Sequence, residues 1–423
     1  MLGDRDTGSE PLPIDDTVSG ERQTDARASV STQTDTYASV KPSAAPALRA
    51  RWTLRFLDDI RPTLGSNVTR IYGISDCVIA VAFTLFVVNI HQPPAGLSEA
   101  QLQNYLKQET LPDILFYLGT YLVVASSWIS HYRILTYLKV SSSSFIILNV
   151  VFLASIVFLP VPVLFFYLYR NQAEIWRVFA LTQVVTSIAL LLMWVVARAD
   201  HLLDPEIPPE YLRYTTVRLI VIPLGTLLSI GISFSNVWVA EGIFLFFYIM
   251  GWFMRGLFYR HHLEGRYLTG TIRMCSITDN MTAVAITFLI ASITGTLLSN
   301  AQQSFSTALD AVLAELPVYS LTFLIVGFFW LSHHRIFMVI RRHDMTLIWL
   351  NFAFLVFIEL QPLFNGLQAS YRTSQTTSIL YACEQVATGL MLLVIWWYAA
   401  RGHRLIDRTM DKFDIMTFAL RAL

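Results

Sequence analysis

Two aspartates occupy nearly identical surroundings in distant parts of the chain. Asp76 ends the segment Arg-Ile-Tyr-Gly-Ile-Ser-Asp and Asp279 ends Arg-Met-Cys-Ser-Ile-Thr-Asp, and an apolar run rich in Ala, Val and Thr follows each. A charged residue at the centre of a membrane-spanning helix costs on the order of 3 kcal/mol. Each carboxylate therefore needs polar partners at its own depth, and such a cluster could carry ion or proton chemistry.

Polar residues that could serve as partners recur with the aspartates at nearly constant spacing. At about 1.5 Å per helical residue, Asp76 lies roughly 9 Å inside a helix that enters the membrane at Arg70. A second helix leaving the membrane and a third re-entering it would bring Trp, His, Arg and Asn groups to the same depth. We predict one such polar layer in each repeat, formed by Arg70, Ser75, Asp76, Trp128, His131, Arg133 and Asn149, and by Arg273, Thr278, Asp279, Trp330, His333, Arg335 and Asn351.

Two interpretations of the polar layers are open. In the first, the layers only hold helices together through their own hydrogen bonds. In the second, they form a hydrolase or metal site in which the histidines and aspartates cooperate. Adjacent His333 and His334 would point about 100° apart on a helix, and neither a nucleophile motif nor a zinc-protease motif accompanies them. The three cysteines have no paired spacing. We therefore predict no enzymatic activity, metal or cofactor.

Composition places the repeats in a membrane. Hydrophobic residues make up 54% of the chain and charged residues 14%, and the mean hydropathy is +0.52. A spanning helix needs about 20 apolar residues. We predict an all-α membrane protein of about ten spanning helices, near residues 71–91, 112–137, 144–168, 174–197, 216–234, 237–257, 272–293, 311–337, 345–366 and 377–400.

The helices form two homologous units, of six and four helices. The predicted organisation is a disordered cytosolic tail (1–48), a first unit (49–257), a cytosolic linker (258–271), a second unit (272–400) and a cytosolic tail (401–423). Most basic residues then fall on one side, which predicts cytosolic termini. The connections 92–111 and 294–310 would be loops on the opposite side. No nucleic-acid partner is predicted.

The first helix of each unit also carries an apolar stripe. Its members recur at the i, i+3, i+4 and i+7 positions of a helix face. The stripe would suit lipid contact, core packing or a pore. It consists of Val81, Thr84, Leu85 and Val88 in the first unit, and of Val284, Thr287, Phe288 and Ala291 in the second.

These motifs resemble the tandem-repeat endolysosomal potassium channel family typified by transmembrane protein 175. The resemblance rests on the two Arg-x-x-x-Ile-Ser/Thr-Asp blocks, the Trp-x-Ser-His-x-Arg end of the second helix, and Leu-Asn with a later Pro in the third. It implies that the first helix of each unit lines a pore, that the constriction lies at Val81 and Val284, and that two copies of the chain surround the pore. The remaining stripe residues would line it, with the polar layers as support.

The chain departs from the family pattern in three ways. Ile74 and Ile277 replace the usual Phe beside the Ser-Asp pair, and Val replaces the usual Ile at the constriction, which would make a hydrophobic gate easier to wet. The second unit also has four helices where the family would supply six. A pore is still expected, because the first four helices of each unit remain.

Two further acids are candidate proton sensors. Glu359 and Glu384 have Val157 and Thr182 as their counterparts in the first unit, so they are not part of the repeated pattern. Buried carboxylates can titrate near neutral pH. The simpler explanation is a solvated lumenal edge or a hydrogen bond to Gln361 or Gln385.

The function predicted for the chain is passive conduction of cations. Potassium is the expected ion, with a proton leak, in a homodimer in the endosomal, lysosomal or vacuolar membrane, with the plasma membrane as a second location. The alternatives are a proton-coupled transporter, for which broken helices in matching positions would be expected, and a non-conducting membrane scaffold.

Overall fold

The computed structural model describes residues 68–407 except 95, 170–172, 259–267, 270, 300–301 and 303, together with 410 and 415–418. Within these residues the first unit contains α1 (Val68–Val88), α2 (Glu99–Tyr105), α3 (Leu111–Thr136), α4 (Ser143–Phe158), α5 (Pro160–Leu168), α6 (Ala173–Ala199), α7 (Pro209–Ser233) and α8 (Val237–Phe258). The second contains α9 (Ile272–Ser299), α10 (Phe305–Val339), α11 (Met345–Ser370) and α12 (Gln375–Ala400).

The predicted fold class is confirmed. Among the described residues, nine helical segments are long and apolar enough to cross a membrane, with α2–α3 and α4–α5 each counted as one. Helix α8 adds a shorter apolar stretch, Val237–Met250. The chain is a multi-pass membrane protein. The predicted division into tails, units and linker remains a prediction, because the tail at 1–48 and most of the linker lie outside the described residues.

The helix starts follow local sequence signals. Ser142, Asp344 and Ser374 precede α4, α11 and α12, and each side chain accepts a hydrogen bond from the backbone N–H three residues later. Such caps satisfy donors that have no partner within the helix. The loops expected at 92–111 and 294–310 are partly wrong, because α2 and a π-helical turn (Leu106–Thr110) fill much of the first, and α9 and α10 extend into the second.

A proline at matching positions has different effects in the two repeats. Pro160 separates α4 from α5, since a proline lacks the N–H that the helix would use. Its counterpart Pro362 lies inside the continuous helix α11. The single predicted helix at 144–168 is therefore two helices that meet at Leu159.

The two units pack through their first helices. Helix α1 packs against α9 and α11 of the second unit and against α3 and α4 of its own. Helices α7 and α8 pack on each other, and α7 also covers α6. The described part of the second unit has no such pair. In the most apolar window of α6, 56% of the residues are buried, against 22% in α12.

A short β-ribbon ties the two units together at the end of α10. Strand β1 (Leu268–Thr269) pairs antiparallel with β2 (Arg342–His343). His343 is buried, and its Nε2 is hydrogen-bonded to the Tyr132 hydroxyl of α3 at 2.5 Å. Burial lowers the pKa of His343 to about 4. The neutral ring is therefore the form that the fold favours.

We expect stability to fall as the pH is lowered from about 6.5, the ordinary pKa of a histidine side chain, to about 4. The unfolded chain takes up the proton in this window and the folded chain does not, so the stabilisation is present above the window and is lost through it. The loss is at most about 3.5 kcal/mol, since one pKa unit corresponds to about 1.4 kcal/mol. Thermal unfolding in detergent micelles measures it. His343→Gln should flatten the pH dependence, whereas the same replacement at exposed His201 should leave it as in the wild type.

Candidate functional site: the polar layers and the first helices

A buried ion pair joins the two repeats. Arg273 of α9 reaches Asp76 of α1, with its Nη2 donating to Oδ1 at 2.7 Å. The carboxylate is fully buried and the guanidinium nearly so. The indole Nε1 of Trp128 on α3 donates to the same oxygen at 2.9 Å. The pair therefore connects three helices from both units.

Aromatic rings surround the Arg273 guanidinium. Its carbon lies 4.8 Å from the ring centre of Tyr72, 5.2 Å from that of Tyr132 and 5.6 Å from that of Trp128. Ring faces attract cations, more strongly when water is excluded. Asp76 and the three rings therefore share the compensation of one buried positive charge.

A second cluster links α1, α3 and α4. Oδ1 of Asn149 accepts from Nε2 of His131 at 2.8 Å, and Nδ2 of Asn149 donates to the Ser75 hydroxyl at 3.1 Å. The second unit repeats this arrangement. Asn351 accepts from Nε2 of His333 at 2.8 Å and donates to Thr278 at 2.8 Å. The Asn carbonyl oxygen fixes the proton on Nε2 of each histidine.

The aspartate of the second repeat is exposed, whereas the aspartate of the first repeat is buried. Asp279 accepts a bond of 2.8 Å from Nε1 of Trp330, as Asp76 does from Trp128. Yet Asp279 is exposed, and Trp330 is 37% exposed against 1% for Trp128. No arginine among the described residues forms an ion pair with Asp279.

The three other arginines of the predicted layers do not join these clusters. Arg70 is exposed at the start of α1, and Arg335 is exposed on α10. Arg133 donates to the Tyr214 hydroxyl of α7 at 2.9 Å. The ring residues Tyr72 and Tyr132 were not predicted as part of the polar layers, although each is an aromatic residue close to an arginine in the sequence.

The first helices have an open stripe and a covered face. On α1 the open stripe consists of Cys77, Val81, Leu85 and Val88, and so differs from the predicted stripe by including Cys77 and excluding Thr84. Cys77 is exposed, Val81 and Leu85 are partly exposed, and Val88 is 57% exposed. The α9 counterparts Asn280, Val284 and Phe288 are also partly exposed. The side chain of Ala291 lies outside the described residues.

The two threonines of the predicted stripe do not belong to the open stripe. Thr84 is buried and donates to the Ala80 carbonyl at 3.1 Å. Thr287 is exposed and donates to the Ala283 carbonyl at 2.7 Å. Both sit on the side of their helix that carries the aspartate.

The two candidate proton sensors differ in their surroundings. Both are buried. Oε1 of Glu384 accepts from Gln361 at 2.9 Å and from Thr388 at 2.8 Å. Within the described part of the chain, neither carboxyl oxygen of Glu359 has a hydrogen-bond partner in normal geometry, and Thr84 of α1 lies beside the carboxyl group.

We expect Asp76→Asn to destabilise the isolated chain by about 3–5 kcal/mol, because it leaves the Arg273 charge buried without a counter-ion. Asp279→Asn is the matched control. An Asn oxygen can still accept from Trp330, and no buried cation loses a partner, so a change below about 1 kcal/mol is expected. Denaturant unfolding in dilute detergent micelles that hold one chain each gives both values. Equal losses of unfolding free energy in the two variants would contradict the conclusion that Arg273 pairs with Asp76 and not with Asp279.

Comparison with known proteins identifies the repeats. The family model described as "Endosomal/lysosomal potassium channel TMEM175" matches residues 70–160 and 273–362. These two regions carry the polar layers and the open stripes.

Three relatives illustrate the range of the family. A potassium channel of Streptomyces collinus is 29% identical over 143 residues, 33% of this chain and 69% of the relative. A potassium channel of Chamaesiphon minutus is 27% identical over 182 residues, 42% of this chain and 90% of the relative. The human endosomal/lysosomal proton channel TMEM175 is 32% identical over 141 residues, 33% of this chain but only 28% of the relative. The match thus spans most of the bacterial chains and under a third of the human one.

Proposed function

We propose that this chain, whose two repeats belong to the endosomal/lysosomal potassium channel TMEM175 family, is a passive cation channel built from two copies. The observation that carries the proposal is the open stripe at matching positions of α1 and α9. Potassium is the expected permeant ion, as in the names of the bacterial relatives, and protons are the second, as in the name of the human one. The name of the human relative and the description of the family model support an endosomal or lysosomal membrane.

The stripe chemistry suits a hydrophobic constriction. Val81 and Val284 lie at equivalent positions, each one turn beyond a small or polar side chain, Cys77 or Asn280. Narrow apolar rings control ion passage by excluding water. Four such valines, two from each copy, would form the narrowest ring.

A second copy completes the interface that the first leaves open. In α1 the face with Asp76, Ala80, Thr84 and Val87 is buried, and this helix packs against α9 and α11 of the second unit. The equivalent α9 residues include Asp279, Ala283 and Thr287, which are exposed. By repeat equivalence, α1 and α4 of a partner copy would cover this face of α9.

Three further pairs of equivalent residues each have one member buried between the units and the other exposed. Tyr121, Trp128 and Phe352 are buried where the units meet, whereas their counterparts Phe323, Trp330 and Val150 are exposed. The Tyr121 hydroxyl bonds to the Phe352 carbonyl at 2.9 Å across that junction.

In such a dimer, Arg70 of one copy replaces Arg273 as the counter-ion, now for Asp279 of the other copy. Both groups are exposed in the single chain. The dimer would then contain four equivalent first helices, joined by two ion pairs within chains and two between chains.

We expect Arg70→Asp or Asp279→Arg to weaken the dimer by about 2–5 kcal/mol, the usual effect of breaking a buried charge pair at an interface. The double variant Arg70→Asp plus Asp279→Arg should restore it, because the charges are exchanged. Single-molecule photobleaching in liposomes at low protein density counts copies per particle. Failure of the double variant to recover, with both single variants folded, would exclude this pair.

Conduction is tested with Val81→Asn plus Val284→Asn. Polar side chains would hydrate the constriction, so the current should rise and the potassium-to-sodium reversal potential should shift toward zero. Patch clamp of proteoliposomes under bi-ionic conditions measures both. The control is Val185→Asn, which places the same side chain on an exposed face of α6. Wild-type dimers without current above background would favour a non-conducting scaffold, and slow, saturating flux would favour a transporter.

A further inference from the structure

Glu359 is a fully buried acid that forms no ion pair with any described residue. It lies in the middle of α11, next to Thr84 of α1, and neither carboxyl oxygen makes a hydrogen bond of normal geometry within the described part of the chain. Burying an ionised carboxylate without compensation costs several kcal/mol, and a neutral acid costs much less. The geometry around Glu359 thus suits the protonated form.

The groups that face Glu359 carry no positive charge. They are Thr84 of α1 and Tyr117 and Tyr121 of α3, all buried. The hydroxyls of Thr84 and Tyr121 already donate to backbone carbonyls. The Tyr117 hydroxyl is buried and has no hydrogen-bond partner among the described residues, so it can donate to the acid.

Other titratable groups on the helices that pack around α11 are engaged elsewhere. Asp76 and Arg273 bond each other, and His333 bonds Asn351 about two turns before Glu359. Glu384 of α12 bonds Gln361 and Thr388.

A line of polar groups leads from Glu359 to the surface. Asp113, Tyr117 and Tyr121 are spaced four residues apart on α3 and so share one helix face. Asp113 is buried, and its Oδ2 lies 2.7 Å from Nδ1 of His91. The His91 side chain is 38% exposed, at the end of α1 opposite Arg70.

We propose that Glu359 is a proton-binding site beside the pore helix, which exchanges protons with water at His91 through Asp113 and Tyr117. A proton taken from water at His91 passes to Asp113 and then, by the Tyr117 hydroxyl, to the Glu359 carboxylate, which becomes a neutral acid. Tyr117 accepts a proton from Asp113 as it gives its own hydroxyl proton to Glu359. Both transfers require hydrogen bonds that form by side-chain rotation or through a water molecule, because the Tyr117 hydroxyl has no partner among the described residues.

The second repeat alone carries this site. At the equivalent place in the first repeat stands Val157, which is 43% exposed. In the proposed dimer Val157 would face Thr287 of the partner copy, as Glu359 faces Thr84. Each pair of copies therefore holds two proton sites and two apolar equivalents.

The site can affect conduction because Thr84 adjoins the open stripe. Thr84 directly precedes Leu85 of the stripe. Loss of the proton leaves a negative charge against α1, which only a shift of this helix or the entry of water can relieve. This part of the inference rests on the proposed channel function, whereas proton binding itself does not.

Proton binding is tested by infrared difference spectroscopy on full-length protein in proteoliposomes as the external pH is stepped. Wild type should show the C=O band of a protonated carboxyl that disappears at high pH. Glu359→Gln should remove that band, and the matched control Glu384→Gln should keep it. Gln has the size of the protonated acid, so folding is expected to be retained. Tyr117→Phe should slow the response. A protonated-carboxyl signal that is the same in Glu359→Gln as in the wild type would overturn the site.

The link to conduction is tested by currents at acidic and neutral pH on the His91 side. Glu359→Gln should reduce the ratio of the two currents to about one, because the coupling between proton and pore is removed, while Glu174→Gln, at an exposed acid of α6, should keep the wild-type ratio. An unchanged ratio in Glu359→Gln would overturn the coupling. If no variant conducts, the channel proposal fails, and the infrared result still decides whether Glu359 binds a proton.

Discussion

The ion pair between Asp76 and Arg273 is the constraint on which the rest of the structure depends. Neither charge is tolerable alone at this depth, because each is almost completely removed from water. Their contact fixes α1 beside α9, and Trp128 adds α3 to the same oxygen. The rings of Tyr72 and Tyr132 then pack around the guanidinium. The arrangement of the two repeats thus follows from satisfying one buried charge.

Duplication explains what the repeats share, and their different surroundings explain what they do not. The His131–Asn149–Ser75 and His333–Asn351–Thr278 clusters lie within a repeat, so they are the same in both. The aspartates lie at the junction between repeats, where only one has its neighbour inside the chain. Glu359 lies across the same junction from Thr84, so a residue without a counterpart in the first repeat is placed against a helix of that repeat.

The sequence predicted the membrane class, the repeats, the helix order and the grouping of His131 with Asn149, because each depends on composition or spacing within one repeat. It did not predict that Asp76 would bond the arginine of the other repeat. Arg70 and Arg273 occupy equivalent positions, and spacing cannot distinguish contacts within a repeat from contacts between repeats. Arg133 was assigned to the polar layer, yet it bonds Tyr214 of α7, a helix that has no counterpart in the repeated pattern. The helix break at Pro160 was also not predicted. A proline alone does not specify a break, because the equivalent Pro362 lies inside a continuous helix.

Because the two repeats are covalently linked, the junction between repeats of one chain and the junction between repeats of two chains form in different ways. The junction that holds Asp76 forms once per folded chain and is independent of how much protein the membrane contains. The junction that would hold Asp279 requires an encounter between chains, so its occupancy obeys mass action. In a sparsely populated membrane the amount of complete pore would rise with the square of the chain density, and conduction would thereby report crowding of the protein within its own membrane.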